Sequence, residues 1–168
     1  MNSNLIYREG SPDEKKSLQQ LGILSYNQFS KILSSADWAT MDRFLHNDKM
    51  WDQLVNNSKI FVCEDNNKLA GMAYLVPGGH PTPIYPADWS YIRMVGVDPG
   101  YRGKGIAKRL TQLCVDYAKQ SNEKIVGLHT SEKMEDARHI YESLGFKMYK
   151  EIDPIYGMRY WLYKLELY

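Results

Sequence analysis

Apolar and polar positions change their period along the chain, and each change marks an element. Residues 5–8 read as a short first strand. Ser11-Pro12-Asp13-Glu14 opens a helix, with proline early and acids in the first turn. Leu18 and Leu21 continue its apolar side, and Gly22 interrupts the pattern in its middle. A second helical period runs over 37–55 and turns Trp38, Met41, Leu45 and Trp51 inward. The period then shortens. Ile60–Cys63 and Leu69–Val76 predict a hairpin about Asn66-Asn67. Residues 77–88 hold four of the seven prolines together with Gly78 and Gly79, which predicts an irregular loop. Trp89–Val97 is a strand again, broken by Asp98-Pro99-Gly100. A helix follows over 103–120, with Ile106, Leu110, Leu113 and Tyr117 on its apolar side. Strand 125–130, a helix over 135–144 stopped by Gly145, and strands 146–152 and 159–165 complete the pattern.

Strand–helix–strand units over 91–130 argue for an α/β fold, a mixed sheet with helices on its faces. No repeat, low-complexity tract or linker divides residues 1–168, so a single domain is expected.

Composition narrows the function classes. Of 168 residues, 43% are hydrophobic and 24% charged, which suits a globular protein with a real core. A net charge of +1 provides no field for nucleic acid or a membrane surface, and neither is an expected partner. No apolar run approaches the roughly 18 residues of a membrane span. Met1-Asn2-Ser3-Asn4 lacks the basic and apolar regions of a signal peptide, so the cytoplasm is the expected compartment. Cys63 and Cys114 stand alone, and no His, Cys and carboxylate spacing suits a metal. His46 and His139 read as helix-surface residues. The aromatics Tyr156, Tyr160, Trp161, Tyr163 and Tyr168 read as strand packing rather than a base-stacking platform.

The chemistry gathers at Val95-Gly96-Val97-Asp98-Pro99-Gly100-Tyr101-Arg102-Gly103-Lys104-Gly105-Ile106-Ala107, a strand, a glycine-rich turn and a helix start. Backbone N–H groups at such a start lack intrahelical partners, carry partial positive charge and bind anions. Glycines at 103 and 105 let a phosphate approach the backbone, and Arg102 and Lys104 add charge. A Walker A loop would need glycine at Asp98 and Ser or Thr at Gly105; a dinucleotide fingerprint would need Gly or Ala at Lys108. Both fail on spacing. A helix start that uses its glycines only for tight packing is the competing reading.

Arg102 to Ala107 resembles the R/Q-x-x-G-x-G/A pyrophosphate loop of the GNAT superfamily of N-acetyltransferases. Downstream, Ala137, Tyr141, Gly145 and Phe146 are similar to its A-x-x-x-Y-x-x-x-G-F segment, in the matching order. The resemblance is close over residues 89–152, and residues 1–60 match only in element order. It implies a mostly antiparallel sheet of about seven strands whose fourth and fifth strands splay apart, with acetyl-CoA in the gap. It further implies that backbone at Met94, Val95 and Val97 pairs with the pantetheine arm and acetyl carbonyl. The amides of Arg102, Gly103, Lys104, Gly105, Ile106 and Ala107 would hold the pyrophosphate. Tyr141 would act as general acid toward the leaving thiolate. Its competing reading is a core aromatic on the stripe Ala137, Ile140, Tyr141 and Leu144.

Two positions depart from the family pattern. Met134 stands where an Asn often contacts CoA, and Tyr91 where a Glu often serves as base. His129, His80, Asp88 and Glu64 are the remaining candidate bases. The implied reaction is direct acetyl transfer to a primary amine of a small molecule or peptide, without metal or acyl-cysteine. The rivals are transfer of a longer acyl group and a CoA-binding regulatory module without catalysis. Loop 78–89 is left with two roles, acceptor wall or homodimer contact. Acceptor specificity is expected in the first half of the chain, with Asp37 and Trp38 as candidates to hold an ammonium ion.

Overall fold

The computed structural model describes residues 4–168. Met1–Ser3, on which the expectation about a signal peptide partly rests, lie outside the described residues. Strand β1 (Leu5–Glu9) leads into a short 3-10 turn and helix α1 (Lys15–Tyr26). Ser11 and Glu14 form a capping box at that turn. Gly22 sits mid-helix because a Cβ there would lie 2.6 Å from the Trp51 ring. The helix backbone therefore closes directly onto an indole.

The single long helix expected over 37–55 is two helices, α2 (Ser35–Leu45) and α3 (Asp48–Asn57). The Asn47 side chain accepts from the Met50 N–H at 3.1 Å and caps α3, while Trp51 Nε1 donates to the Leu45 carbonyl at 2.8 Å. A new N-cap and a satisfied C-terminal carbonyl let the chain turn between them.

Strands β2 (Lys59–Asp65), β3 (Lys68–Val76), β4 (Ser90–Val97), β5 (Ile125–Ser131), β6 (Lys147–Ile155) and β7 (Met158–Glu166) complete one seven-stranded sheet, in the order β1-β2-β3-β4-β5-β7-β6. Only β4 and β5 pair in parallel. Helix α4 (Ile106–Gln120) connects them, and α5 (Glu135–Ser143) follows β5. The helix expected from Gly103 starts at Ile106, because Gly105 adopts a left-handed φ of +79°.

Alternation along the central strands feeds two cores. Phe61, Cys63, Ala73 and Leu75 pack toward Leu110 and Cys114 of α4. Ile60, Val62, Met72 and Tyr74 pack toward Leu18, Trp51 and Leu54 of α1 and α3. Covered on both sides, β3 is buried from Ala70 to Val76, which is why it reads as a continuous apolar run.

The site is positioned by two irregularities. β4 and β5 share register only at Ser90–Val126 and Tyr91–Gly127, then diverge. On the other side of β4, Met72 faces Gly96 while Tyr74 faces Arg93, so β4 carries one extra residue. Met94 takes φ +53° at this bulge, and neither Met94 nor Val95 has a register partner on β3 or β5.

Candidate active site

Where β4 and β5 part, a cleft of about 1130 Å³ opens. At one end lies the glycine turn. Gly103 and Gly105 both have φ +79°, and a Cβ added to either would meet no atom within 4 Å. These glycines are there for backbone conformation and open approach, not for packing against protein. No side chain caps α4, so the first N–H groups of this 15-residue helix keep their capacity for an anion. That arrangement fits a phosphate-bearing ligand.

The charged residues of the turn divide. Arg102 donates from Nη2 to the Ser25 carbonyl at 2.9 Å and from Nη1 to Gln28 Oε1 at 3.0 Å, tying the turn to the end of α1. Lys104 is exposed and does not line the cleft, whereas Lys108 and Lys133 do. Lys104 precedes the left-handed Gly105 and lies outside α4, whereas Lys108 belongs to the first turn of the helix.

Met94, Val95 and Val97 line the middle; the bulged backbone of Met94 and Val95 is free of the ladder, while Val97 is paired with Gly71. The Tyr26 hydroxyl donates to the Val95 carbonyl at 3.4 Å and is pushed up to about 12 by burial. Tyr141 on α5 also lines the cleft. Its ring is 8% exposed and packs edge-on against Phe146 at 6.1 Å. Burial raises its hydroxyl above the ordinary phenol value, so it keeps its proton at neutral pH. The core and cleft readings of Tyr141 thus hold together in one side chain.

Of the four candidate bases only His129 reaches the cleft. His80 and Asp88 are exposed, and Glu64 pairs with Arg8 at 3.1 Å. His129 Nδ1 lies 2.6 Å from the Tyr85 hydroxyl. Burial, helped by Arg93, lowers its pKa to about 4. Tyr85 stacks on Tyr91 with centroids 4.1 Å apart, so the position aligned with a family glutamate is filled by an aromatic pair. Met134 lines the cleft with its thioether 3.5 Å from the Thr130 hydroxyl.

The far end is walled by Phe29, Met41 and Phe44 from the first half and by Thr82–Tyr85 of the loop. Tyr156 and Tyr160 of the β6–β7 hairpin complete it. Those two residues therefore do more than pack a strand, and this wall draws on both halves of the chain. Asp37 and Trp38 are not among the lining residues. Asp37 is held by the Ser34 hydroxyl at 2.9 Å, and Ser34 is the N-cap of α2. Both cysteines are fully buried, and burial raises both thiols. His46 and His139 are exposed on helices. Among the described residues, no group of three or more His, Cys, Asp or Glu could hold a metal ion, and no helix is long and apolar enough to cross a membrane.

Known proteins match the same region. A family model for the acetyltransferase (GNAT) family matches residues 26–146. N-alpha-acetyltransferase 30 of Schizosaccharomyces pombe is 33% identical over 108 residues, 61% of this chain and 70% of that protein. Mycothiol acetyltransferase of Thermomonospora curvata is 30% identical over 97 residues, 58% of this chain but only 30% of that protein. The PaiA N-acetyltransferase of Thermoplasma acidophilum, solved with coenzyme A, superimposes with a TM-score of 0.77 over 97% of this chain and 99% of its own. At 15% identity that likeness speaks for the fold alone. Given a family model that spans most of the sheet and the whole glycine turn, this chain belongs to the GNAT family of acetyltransferases.

Proposed function

We propose that this acyltransferase moves an acetyl group from acetyl-CoA to a primary amine of a small molecule or peptide, by direct attack within a ternary complex. The observation that carries the reading is one cleft shared by an uncapped, glycine-opened helix N-terminus, a bulged β4 and a protonated tyrosine. The amides of residues 102–107 would hold the pyrophosphate, with Lys108 and Lys133 adding charge. The backbone of Met94, Val95 and Val97 would align the pantetheine arm. The thioester supplies an activated carbonyl, and the chain's main contribution is to hold the two substrates together. A backbone N–H at the bulge would polarise that carbonyl.

The amine nitrogen bonds to the carbonyl carbon and the carbon–sulfur bond breaks. The departing thiolate takes a proton from Tyr141, whose phenol is kept protonated by burial, and the proton that the nitrogen sheds on becoming an amide restores the phenol, leaving neutral amide and free CoA thiol. His129 is not the base in this reading. A group titrating near 4 is far too weak to take a proton from an ammonium ion of pKa about 10. The amine enters as the neutral fraction present in bulk solvent at the working pH, and neutral His129 helps to receive that form. Neither cysteine is suited to carry the acyl group, since both thiols are buried and raised.

Initial-rate kinetics over an amine panel, read by CoA release, test this. Intersecting double-reciprocal plots are expected, with turnover retained in Cys63→Ala/Cys114→Ala. Parallel plots with a trapped acetyl-enzyme would overturn the direct mechanism. Acetyl-CoA binding without transfer to any amine would favour the regulatory module.

A further inference from the structure

Arg93 is the one guanidinium in the cleft that the protein leaves without a polar partner, among the described residues. It is half-buried on β4, next to the bulge. Its side chain makes no hydrogen bond and no ion pair there; the guanidinium lies over the Phe44 ring, 5.8 Å from its centroid. Arg102, by contrast, donates to Ser25 and Gln28. The strand alternates, so Ile92 packs toward α4 while Arg93 projects toward α2 and the far wall.

Among the described residues only two carboxylates line the cleft, Glu135 and Asp136, and both are exposed at the start of α5. The groups beside Arg93 that can titrate are His129, Tyr26, Tyr85, Tyr91 and Tyr156. All five are neutral at pH 7, because burial raises each phenol and lowers the imidazole. A guanidinium with five N–H donors thus faces an aromatic wall with nothing there to balance its charge. Half-buried in an open cleft, it keeps its donors for water until a ligand displaces that water. A planar carboxylate does so bidentately.

We propose that the acceptor is a primary amine that also carries a carboxylate, read by Arg93, with its apolar part laid against Phe29, Phe44 and Tyr156. This rests on the transferase reading above and names its substrate class. The same charge works against diamines, whose second ammonium would meet Arg93 with no acid to shield it. The carboxylate can belong to a free amino acid or to an acidic residue at a peptide N-terminus.

The test compares matched amines on the full chain with saturating acetyl-CoA, again by CoA release. Phenylalanine is set against phenylalaninamide and against a diamine, and N-terminal aspartyl peptides against their asparaginyl counterparts. The two pairs separate the free amino acid from the peptide source. At least one acid should exceed its neutral partner in kcat/KM by on the order of 10- to 100-fold, the range of a charge-assisted hydrogen-bonded pair. Arg93→Gln should collapse that preference mainly through KM, and Arg93→Lys should restore part of it. The thermal shift given by acetyl-CoA should survive both substitutions, which separates lost recognition from lost folding. If neutral amines match the acids in the wild type, or if Arg93→Gln keeps the preference, the inference fails and the transferase stands. If no amine is acetylated, both fail.

Discussion

Replacing Gly105 separates backbone strain from ligand exclusion. The residue has φ +79° and open space where a Cβ would stand. Alanine there must adopt a left-handed conformation, costing about 1–2 kcal/mol. In a chain of this size that is roughly 2–8 °C in Tm. Gly79 provides the control, with φ +101° and the same open space in the loop outside the cleft lining. Gly79→Ala and Gly105→Ala should therefore lower Tm by similar amounts without ligand. Acetyl-CoA at 100 times its Kd should raise stability by about 2.7 kcal/mol, on the order of 5–10 °C. Gly79→Ala should keep that rise and Gly105→Ala should lose part of it. Gly105→Glu should lose all of it, because bulk and negative charge then occupy the phosphate position. Differential scanning fluorimetry across an acetyl-CoA titration reads every arm. A full ligand shift in folded Gly105→Glu would refute the assignment of the pyrophosphate to this turn.

Other outcomes follow from the same geometry. Tyr141→Phe keeps the ring against Phe146 but removes the hydroxyl, so kcat should fall at least roughly tenfold while acetyl-CoA affinity holds; turnover within about twofold of wild type would reduce Tyr141 to a core residue. His129 is lowered from 6.5 to about 4 in the fold, so below pH 6.5 the unfolded chain takes a proton that the folded chain refuses. Its contribution is complete above pH 6.5 and is lost as pH falls toward 4, by at most about 3 kcal/mol at about 1.4 kcal/mol per pH unit. Urea unfolding at pH 7 and pH 4.5 should show this slope, and His129→Gln should flatten it; an unchanged slope would mean that His129 is solvated. Gly22→Ala should destabilise measurably by chemical denaturation, since its methyl would stand 2.6 Å from the Trp51 ring and overpacking typically costs about 1–3 kcal/mol; a neutral result would mean that the α1–α3 contact yields easily.

Local chemistry makes much of this protein legible in its sequence. Period-two and period-3.6 patterns mark the strands and helices because each must bury one side. The glycine turn is visible because glycine takes φ +79° at 103 and 105 without strain, and the position of Tyr141 follows from its place on a helical stripe. What stayed hidden depends on residues distant in sequence. The break between α2 and α3 rests on Trp51 reaching back to Leu45, and the apolar period alone carries straight through it. That Lys108 lines the cleft and Lys104 does not is a matter of tertiary placement. The extra residue in β4 shows only against its partner β3, since a bulge is a property of a pair of strands. The far wall is the clearest case. Tyr85 and His129 are 44 residues apart and meet at 2.6 Å. Arg93 reads as an ordinary strand cation until the fold surrounds it with neutral aromatics and provides no carboxylate. Periodicity records which side of an element is buried; which buried groups face one another is decided by tertiary packing alone.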